Sequence, residues 1–166
     1  MLALGIDPGT AICGYGLVEL DGNRLRALDY GAIETSASLE VEKRLEIIFD
    51  GVCQIIQRYT PDFMGVEKLF FNKNVRTAMT VGQARGVILL AAAQNSVRLA
   101  EYTPLEVKQS VVGYGKATKE QVTFMTTRLL GLAGEPKPDD VADALAIAIC
   151  TAHSNSMSRV WEGIHR

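Results

Sequence analysis

A change of hydrophobic period about a quarter of the way along the chain constrains the fold of these 166 residues more than any other feature. Before that point the apolar stretches are short and are separated by the turn segments Asp7-Pro8-Gly9-Thr10 and Asp21-Gly22-Asn23. This pattern predicts three consecutive antiparallel strands, the second and third joined as a hairpin. From Leu45 to Tyr59 the apolar residues recur instead at three- and four-residue spacing, which predicts an amphipathic helix.

The remaining segments alternate between strand and helix patterns. Strands are predicted over 62–67 and 97–102, and helices over 75–95, 104–112, 118–130 and from Asp139 or Asp140 towards His153. Right-handed crossovers would place the fourth and fifth strands parallel to the first. We therefore predict an α/β fold in which helices flank a mixed five-stranded sheet. One domain is expected over 1–153, followed by a loose, flexible tail over 154–166.

Composition excludes several classes of protein. The chain is 48% hydrophobic and 22% charged, as in globular domains and unlike disordered ones. Its three cysteines lack C-x-x-C spacing, which argues against a disulfide framework and against a zinc site. We see no secretory signal and no apolar run long enough to span a bilayer, so a cytoplasmic protein is expected.

The charge is unevenly distributed along the chain. The net charge of −2 gives no hint of nucleic acid, but residues 68–119 contain eight basic and only two acidic residues. Such a segment predicts an anion-binding surface. A solvated face without a partner explains the same charges equally well.

Four carboxylates are candidates for chemistry. Asp7 follows the first strand and Glu67 ends the fourth, so parallel strands would bring both to one edge of the sheet. Asp140 and Asp143 are three residues apart and share a helix face, whereas Asp139 points about 100° away. Four such groups would repel one another without a cation, and hard oxygen ligands favour Mg²⁺ or Mn²⁺. The chemistry that suits them is phosphoryl transfer with two metal ions about 4 Å apart.

Each of these features also has a purely structural explanation. Asp7 could belong only to a turn, and Asp140 could be a helix N-cap with Asp143 in the first turn. Glu67 is harder to explain in this way, because it ends a buried apolar strand. The segment from Gly113 to Lys119 lacks the first glycine and the Ser/Thr of a phosphate-binding P-loop. It contains instead a capping box at the entry to a helix, formed by Thr118 and Gln121.

Six short blocks, in order and with family-like spacing over about 1–153, resemble the bacterial RuvC Holliday-junction resolvases. They are Gly5-Ile6-Asp7-Pro8-Gly9-Thr10, Val66-Glu67, Gly82-Gln83-Ala84-Arg85-Gly86, Val107-Lys108-Gln109, Val111-Val112-Gly113 and Asp140-Val141-Ala142-Asp143-Ala144-Leu145-Ala146. The resemblance implies a ribonuclease-H-like fold and a divalent-metal-dependent endonuclease. It also implies a homodimer that makes paired, symmetric nicks in the opposed strands of a four-way junction during recombination and repair.

The resemblance also implies which residues act. Asp7, Glu67, Asp140 and Asp143 would hold Mg²⁺ or Mn²⁺, with two ions expected in each site. Lys108 and Lys119 would lie near the scissile phosphate and stabilise its developing charge. The surrounding contacts to DNA are expected from Phe70, which would wedge into the junction, and from the basic residues Lys73, Arg76 and Lys116. The alternative is that these lysines are ordinary surface residues, and that one phenylalanine of the Phe70-Phe71 pair belongs to the hydrophobic core.

The resemblance to RuvC also implies protein partners. Similar proteins pair their subunits through the helix at 75–95, in which Ala78, Gly82 and Gly86 could equally well allow tight packing on the sheet. Cooperation with the branch-migration proteins RuvA and RuvB is implied by the family alone.

Two other functions are alternatives to the resolvase. An actin-like ATPase also begins with an Asp-x-Gly-Thr turn but needs about twice this length. A non-catalytic junction binder would not place acids in a DNA groove.

Overall fold

The computed structural model describes residues 1–68 and 75–164, with side chains except at 75–77 and 157–164. Five strands form one sheet in the order β3-β2-β1-β4-β5. Its first three strands are antiparallel, and β4 and β5 run parallel to β1, as the sequence predicts. The strands are β1 (Leu2–Asp7), β2 (Ile12–Asp21), β3 (Arg24–Glu34), β4 (Phe63–Glu67) and β5 (Arg98–Tyr102).

Helices cover both faces of this sheet. They are α1 (Val41–Tyr59), α2 (Val75–Gln94), α3 (Pro104–Val112), α4 (Lys119–Leu129) and α5 (Asp139–Ile164). One buried cluster joins α1 and α2 to the sheet through residues such as Ile48, Ile88 and Leu4. A second cluster joins α3, α4 and α5 through residues such as Val107, Val122 and Leu145. The central strand β1 is therefore covered on both sides, which explains why its sequence is almost continuously apolar.

The connection between α3 and α4 confirms the interpretation of the lysine-bearing segment. Helix α3 ends at Gly113, whose φ of 93° lies in the left-handed region that glycine adopts without strain. Helix α4 begins with a capping box, in which the Thr118 side chain accepts from the Gln121 N–H and the Gln121 side chain accepts from the Thr118 N–H. The backbone amides of this turn are thus used for capping.

Helix α5 begins where the sequence predicts but extends further than predicted. It begins at Asp139, so Asp140 lies inside the first turn and is not the N-cap. It continues to Ile164, through the segment for which the sequence predicts a loose tail. The polar residues just after His153 are compatible with a helix because they bond to its own carbonyls: Asn155 to Thr151 O at 2.9 Å and Ser156 to His153 O at 2.8 Å. No helix in the described part of the chain has the length and apolarity needed to cross a bilayer.

Candidate active site

Asp7 stands at the carboxyl end of the central strand. It is the last residue of β1 and pairs with Gly14 of β2. Burial raises the pKa of its carboxyl to about 7, and the nearby carboxylates of Asp143, Asp140 and Glu67 add to the rise. The ammonium of Lys119 acts in the opposite direction. The Asp7 carboxyl is therefore largely shielded from water and lies in the negative electrostatic potential of three other acids.

Glu67 reaches the same place from the neighbouring strand. The parallel register that joins Ile6 to Val66 puts the ends of β1 and β4 side by side, so Asp7 and Glu67 share one edge of the sheet. Burial raises the pKa of Glu67, the Asp143 carboxylate raises it further, and the Lys108 ammonium opposes the shift. This is the juxtaposition that the strand pattern predicts.

The two aspartates of α5 come close because glycines let the helix lie directly on the sheet. A methyl group added at Gly5 would collide with the backbone of Ala144 and Ala148, and one at Gly14 would collide with Asp140 O. Gly16 and Gly65 are similarly close to α5, the latter to the Thr151 hydroxyl. We call these four glycines the glycine seat of α5. Their missing side chains bring the first turns of α5 to the end of β1.

The three acids at the start of α5 have different environments. Asp143 accepts from the Lys119 ammonium at 2.9 Å and lines the cavity described below. Asp140 lies near enough to raise the pKa of Asp7, although it does not line that cavity. Asp139 is 58% exposed and pairs with Lys137 at 3.0 Å, which lowers its pKa. Asp139 also lies 3.7 Å from the Lys119 ammonium, but it does not line the cavity and is not among the carboxylates that raise the pKa of Asp7.

A cavity of about 200 Å³ opens between these elements. Three of the predicted acids and two of the predicted lysines line it, together with apolar residues of α3, α4 and α5: Asp7, Glu67, Asp143, Lys108, Lys119, Val107, Val122, Ala146 and Ile147. Because carboxylates and ammonium groups line the same cavity, the site can hold a cation and, next to it, a phosphate. The apolar residues were not predicted, because nothing in their sequence separates them from ordinary core.

The donor set fits a hard divalent cation. It consists of carboxylates, and burial together with the neighbouring carboxylates raises the pKa of Asp7, so a cation among these groups would be stabilising. Within residues 1–68 and 75–164, no three acidic, histidine or cysteine side chains stand close enough to enclose an ion as they are placed. The carboxylates repel one another, and Asp143 is paired with Lys119. A bound cation would oppose that repulsion.

The remaining predicted DNA contacts are only partly within the described structure. Lys116 is exposed in the turn between α3 and α4, beside the cavity wall that carries Lys119. Phe70 and Lys73 lie outside the described residues, and Arg76 is in α2 but its side chain is not described. Their predicted roles therefore stay predictions.

One contact was not predicted at all. The Arg85 side chain of α2 donates from Nε to the backbone carbonyl of Glu67 at 3.3 Å. The only sequence signal for it is an arginine between Ala84 and Ile88, both of which are buried against the sheet. In the sequence Arg85 is otherwise notable only as part of the block Gly82-Gln83-Ala84-Arg85-Gly86.

A mixed five-stranded sheet that gathers acids at the ends of its central parallel strands defines the ribonuclease-H-like class of metal-dependent nucleases. The Thermus thermophilus RuvC structure superposes with a TM-score of 0.88 at 36% identity, covering 95% of this chain and 97% of that one. A structure of T. thermophilus RuvC in complex with a Holliday junction substrate gives a TM-score of 0.86 at 34% identity, over 95% and 96% of the two chains.

Sequence comparison narrows the class to one family. The family model for crossover junction endodeoxyribonuclease RuvC matches residues 3–151. A crossover junction endodeoxyribonuclease RuvC from Clostridioides difficile is 54% identical over 99% of this chain and 97% of its own length. The chain belongs to the RuvC family and is an endonuclease with a ribonuclease-H-like fold. This finding displaces the actin-like ATPase and the non-catalytic binder as alternatives.

Proposed function

We propose that this chain resolves four-way DNA junctions by paired nicks, using Asp7, Glu67, Asp140 and Asp143 as its metal-binding acids. One observation carries the residue assignment: the carboxyl of Asp7 has its pKa raised to about 7 by burial and by the other three acids. Isolated turns and caps would not share an electrostatic environment in this way. The substrate assignment is supported by family membership and by the junction complex of the T. thermophilus relative.

The proposed cofactor is Mg²⁺, with Mn²⁺ as a substitute and two ions in each site. Ions of this kind supply an activated water and stabilise the leaving oxygen. The four carboxylates would hold them. Lys119, now 2.9 Å from Asp143, would neutralise charge on the phosphate being cut, and Lys108 would do so from the Glu67 side of the cavity.

The proposed DNA surface extends from the cavity over the turn between α3 and α4. Lys116 would contact backbone phosphate there, and Lys73 and Arg76 would do so from the segment after β4. Phe70 would stack on bases at the junction, where such contacts contribute about 1–3 kcal/mol each. A Phe70→Ala variant that folds normally but cleaves junctions weakly is the expected result, and an unfolded variant would favour a core role.

The proposed assembly is a homodimer formed through α2. Between Ala78 and Gln94 an exposed stripe carries no charged residue: Met79, Gln83, Gly86, Leu90 and Ala93. A Cβ at Gly86 would meet open space, so this glycine does not pack on the sheet as one interpretation of its spacing suggested. A two-fold dimer would present two equal sites to a nearly symmetric junction. RuvA and RuvB as partners, and action in the cytoplasm, are part of the same proposal.

Cleavage of a synthetic four-way junction tests this function. The protein is incubated with junction DNA in Mg²⁺ or in EDTA, and products are separated on a denaturing gel. We expect symmetric paired nicks that disappear in EDTA and in Asp7→Asn. The matched control is Asp50→Asn, which removes an exposed carboxylate of α1 and should cleave normally. Tight binding without nicks in Mg²⁺ or Mn²⁺ would contradict the proposal.

Binding of Mn²⁺ in the absence of DNA tests the ligand assignment separately. Calorimetric titration of the wild type, Glu67→Gln and Asp50→Asn compares the affinities directly. Only Glu67→Gln should weaken binding, because it removes a carboxylate that faces Asp143. Equal affinities in all three proteins would remove Glu67 from the ligand set.

A further inference from the structure

Arg85 of α2 reaches the catalytic strand from the face of the sheet opposite to α5. Its Nε donates to the carbonyl of Glu67 at 3.3 Å, and its guanidinium also forms an ion pair with the Glu101 carboxylate of β5. The Arg85 side chain is only 18% exposed. It thus joins α2, β4 and β5 at one point directly behind the proposed metal-binding acid.

The end of β4 needs such support. Glu67 is the last residue of this five-residue strand, and a strand terminus has few ladder bonds to restrain it. On the β5 side, Lys68 N–H donates to Tyr102 O at 2.7 Å. The Glu67 carbonyl is held from α2 by Arg85. The peptide group between Glu67 and Lys68 is therefore held from both directions, its carbonyl by the Arg85 donor and its N–H by the Tyr102 carbonyl acceptor.

Arginine suits this position better than lysine would. Its planar guanidinium offers donors in a rigid fork, so one side chain can bind a carbonyl through Nε and a carboxylate through Nη2. Glu101 balances the charge that Arg85 brings into a largely covered place, since an unpaired cation there would be costly. Glu101 lies opposite Val66 in the β4–β5 register, one residue before the strand end. The pair is thus anchored to the same two strands that carry the site.

We propose that Arg85, oriented by Glu101, is a positioning residue that holds the Glu67 backbone so that its carboxylate meets the metal. This inference rests on the proposed role of Glu67 as a metal ligand. Arg85 does not touch substrate or metal in this assignment. Its effect passes through the peptide group of Glu67 alone, and α2 thereby acquires a direct mechanical connection to the active site.

The test measures metal affinity in Arg85→Lys, Arg85→Gln and Glu101→Gln. Outer partners of metal ligands typically change metal affinity or activity by about 10–100-fold. We expect Arg85→Gln to weaken Mn²⁺ binding, measured by calorimetry without DNA, by about 10-fold or more. The Mn²⁺ concentration for half-maximal junction cleavage should rise in parallel, while cleavage at saturating Mn²⁺ recovers. Arg85→Lys and Glu101→Gln should show smaller changes in the same direction.

Two controls separate positioning from loss of stability. Ile88→Val loosens the packing of α2 at a buried position, and Arg26→Gln breaks a more exposed Arg–Glu pair on β2–β3. Both should bind Mn²⁺ like the wild type. If Arg85→Gln fails to fold, Arg85→Lys and Glu101→Gln still decide the question. Metal affinities in those two variants equal to that of Ile88→Val would overturn the inference.

A double-variant cycle shows whether Arg85 acts through Glu67. In a Glu67→Gln background, Arg85→Lys should cause no further loss of Mn²⁺ affinity, because the group that it positions is gone. A full additional loss would contradict the proposed route. If Glu67→Gln alone leaves Mn²⁺ binding unchanged, the ligand assignment itself is wrong and the inference falls with it. If Glu67→Gln weakens binding and the Arg85 and Glu101 variants do not, only the positioning role is refuted.

Discussion

The Asp7 carboxyl binds its proton more tightly than an ordinary aspartate, and this has a consequence for stability. Its pKa is about 7 in the folded protein against 3.8 for an unperturbed aspartate. Between those values the folded state holds a proton that the unfolded state releases, so stability falls as pH rises from about 4 to about 7. Without metal, Asp7 therefore destabilises the fold at neutral pH.

We predict that Asp7→Asn is more stable than the wild type in EDTA at pH 8, and that this advantage vanishes near pH 4. The advantage should be on the order of 2–4 kcal/mol, because each unit of pKa shift corresponds to about 1.4 kcal/mol. Urea unfolding at pH 4, 6 and 8 measures it, with Asp50→Asn as the control. If the difference in free energy of unfolding between the wild type and Asp7→Asn does not change from pH 4 to pH 8, the pKa of Asp7 is that of an unperturbed aspartate and the prediction is wrong.

Asp139 and Asp140 are adjacent in sequence but should differ in function. Asp140 contributes to the potential at Asp7, whereas Asp139 is exposed and paired with Lys137. We predict that Asp140→Asn abolishes junction cleavage and that Asp139→Asn retains most of it, since exposed ion pairs contribute about 0–1 kcal/mol. Cleavage assays at saturating Mg²⁺ compare the two. If only Asp139→Asn loses activity, Asp139 and not Asp140 is the metal-binding residue.

At the scale of single residues, the sequence predicted where the acids lie in the fold but not most of the residues around them. Asp7 and Glu67 were predictable because each ends an apolar strand. The choice of Asp140 needed the family spacing, since an N-cap explains an aspartate there equally well until the helix start is known. The contact of Arg85 with Glu67 was not predictable, because the two residues belong to different elements and are 18 positions apart in the sequence.

At the scale of elements, the glycine seat determines where the acids of α5 lie. A methyl group at Gly14 would meet the backbone of Asp140, which cannot move aside as a flexible side chain could. We predict that Gly14→Ala destabilises the protein by about 1–3 kcal/mol, as overpacking does, and that it reduces cleavage strongly by displacing the start of α5. Thermal unfolding and junction cleavage measure the two effects.

The matched control for that substitution is Gly134→Ala. Gly134 lies in the loop before α5, and a Cβ there meets open space. It should retain both stability and activity. If Gly14→Ala proves as active as Gly134→Ala, the close approach of α5 to the sheet is not needed for the site.

The order and type of the ten elements within residues 1–68 and 75–164 were predictable from hydrophobic period and turn residues. The close approach of α5 was not, because glycines in β1, β2 and β4 read as neutral or unfavourable strand residues until their opposite partner is known. The helical continuation to Ile164 was missed for a related reason. Its Ser and Asn residues are weak helix formers in isolation, and in the structure the side chains of Asn155 and Ser156 bond to preceding carbonyls.

At the scale of the whole molecule, the uncharged stripe of α2 should govern assembly. Met79 is 64% exposed and Leu90 is 49% exposed, both on the outer side of the helix. We predict that Leu90→Glu shifts the protein from dimer to monomer, because burying an unpaired carboxylate in an interface is costly. Sedimentation at micromolar concentration measures this shift. Leu28→Glu, a similar change at an exposed leucine of β3, should leave the dimer intact, and a monomeric wild type would contradict the assembly model.

The positions of the four acids along the chain also matter while the protein is being made. Asp7 and Glu67 are synthesised early, whereas Asp140 and Asp143 belong to the last helix, which begins at Asp139. A ribosome-bound chain that ends before α5 contains Lys108, Lys116 and Lys119, the lysines proposed to contact DNA, but only half of the proposed metal-binding acids. The glycine seat is then uncovered as well, so the sheet lacks the element that closes it. In this arrangement the proposed set of metal-binding acids becomes complete only after α5 has been made.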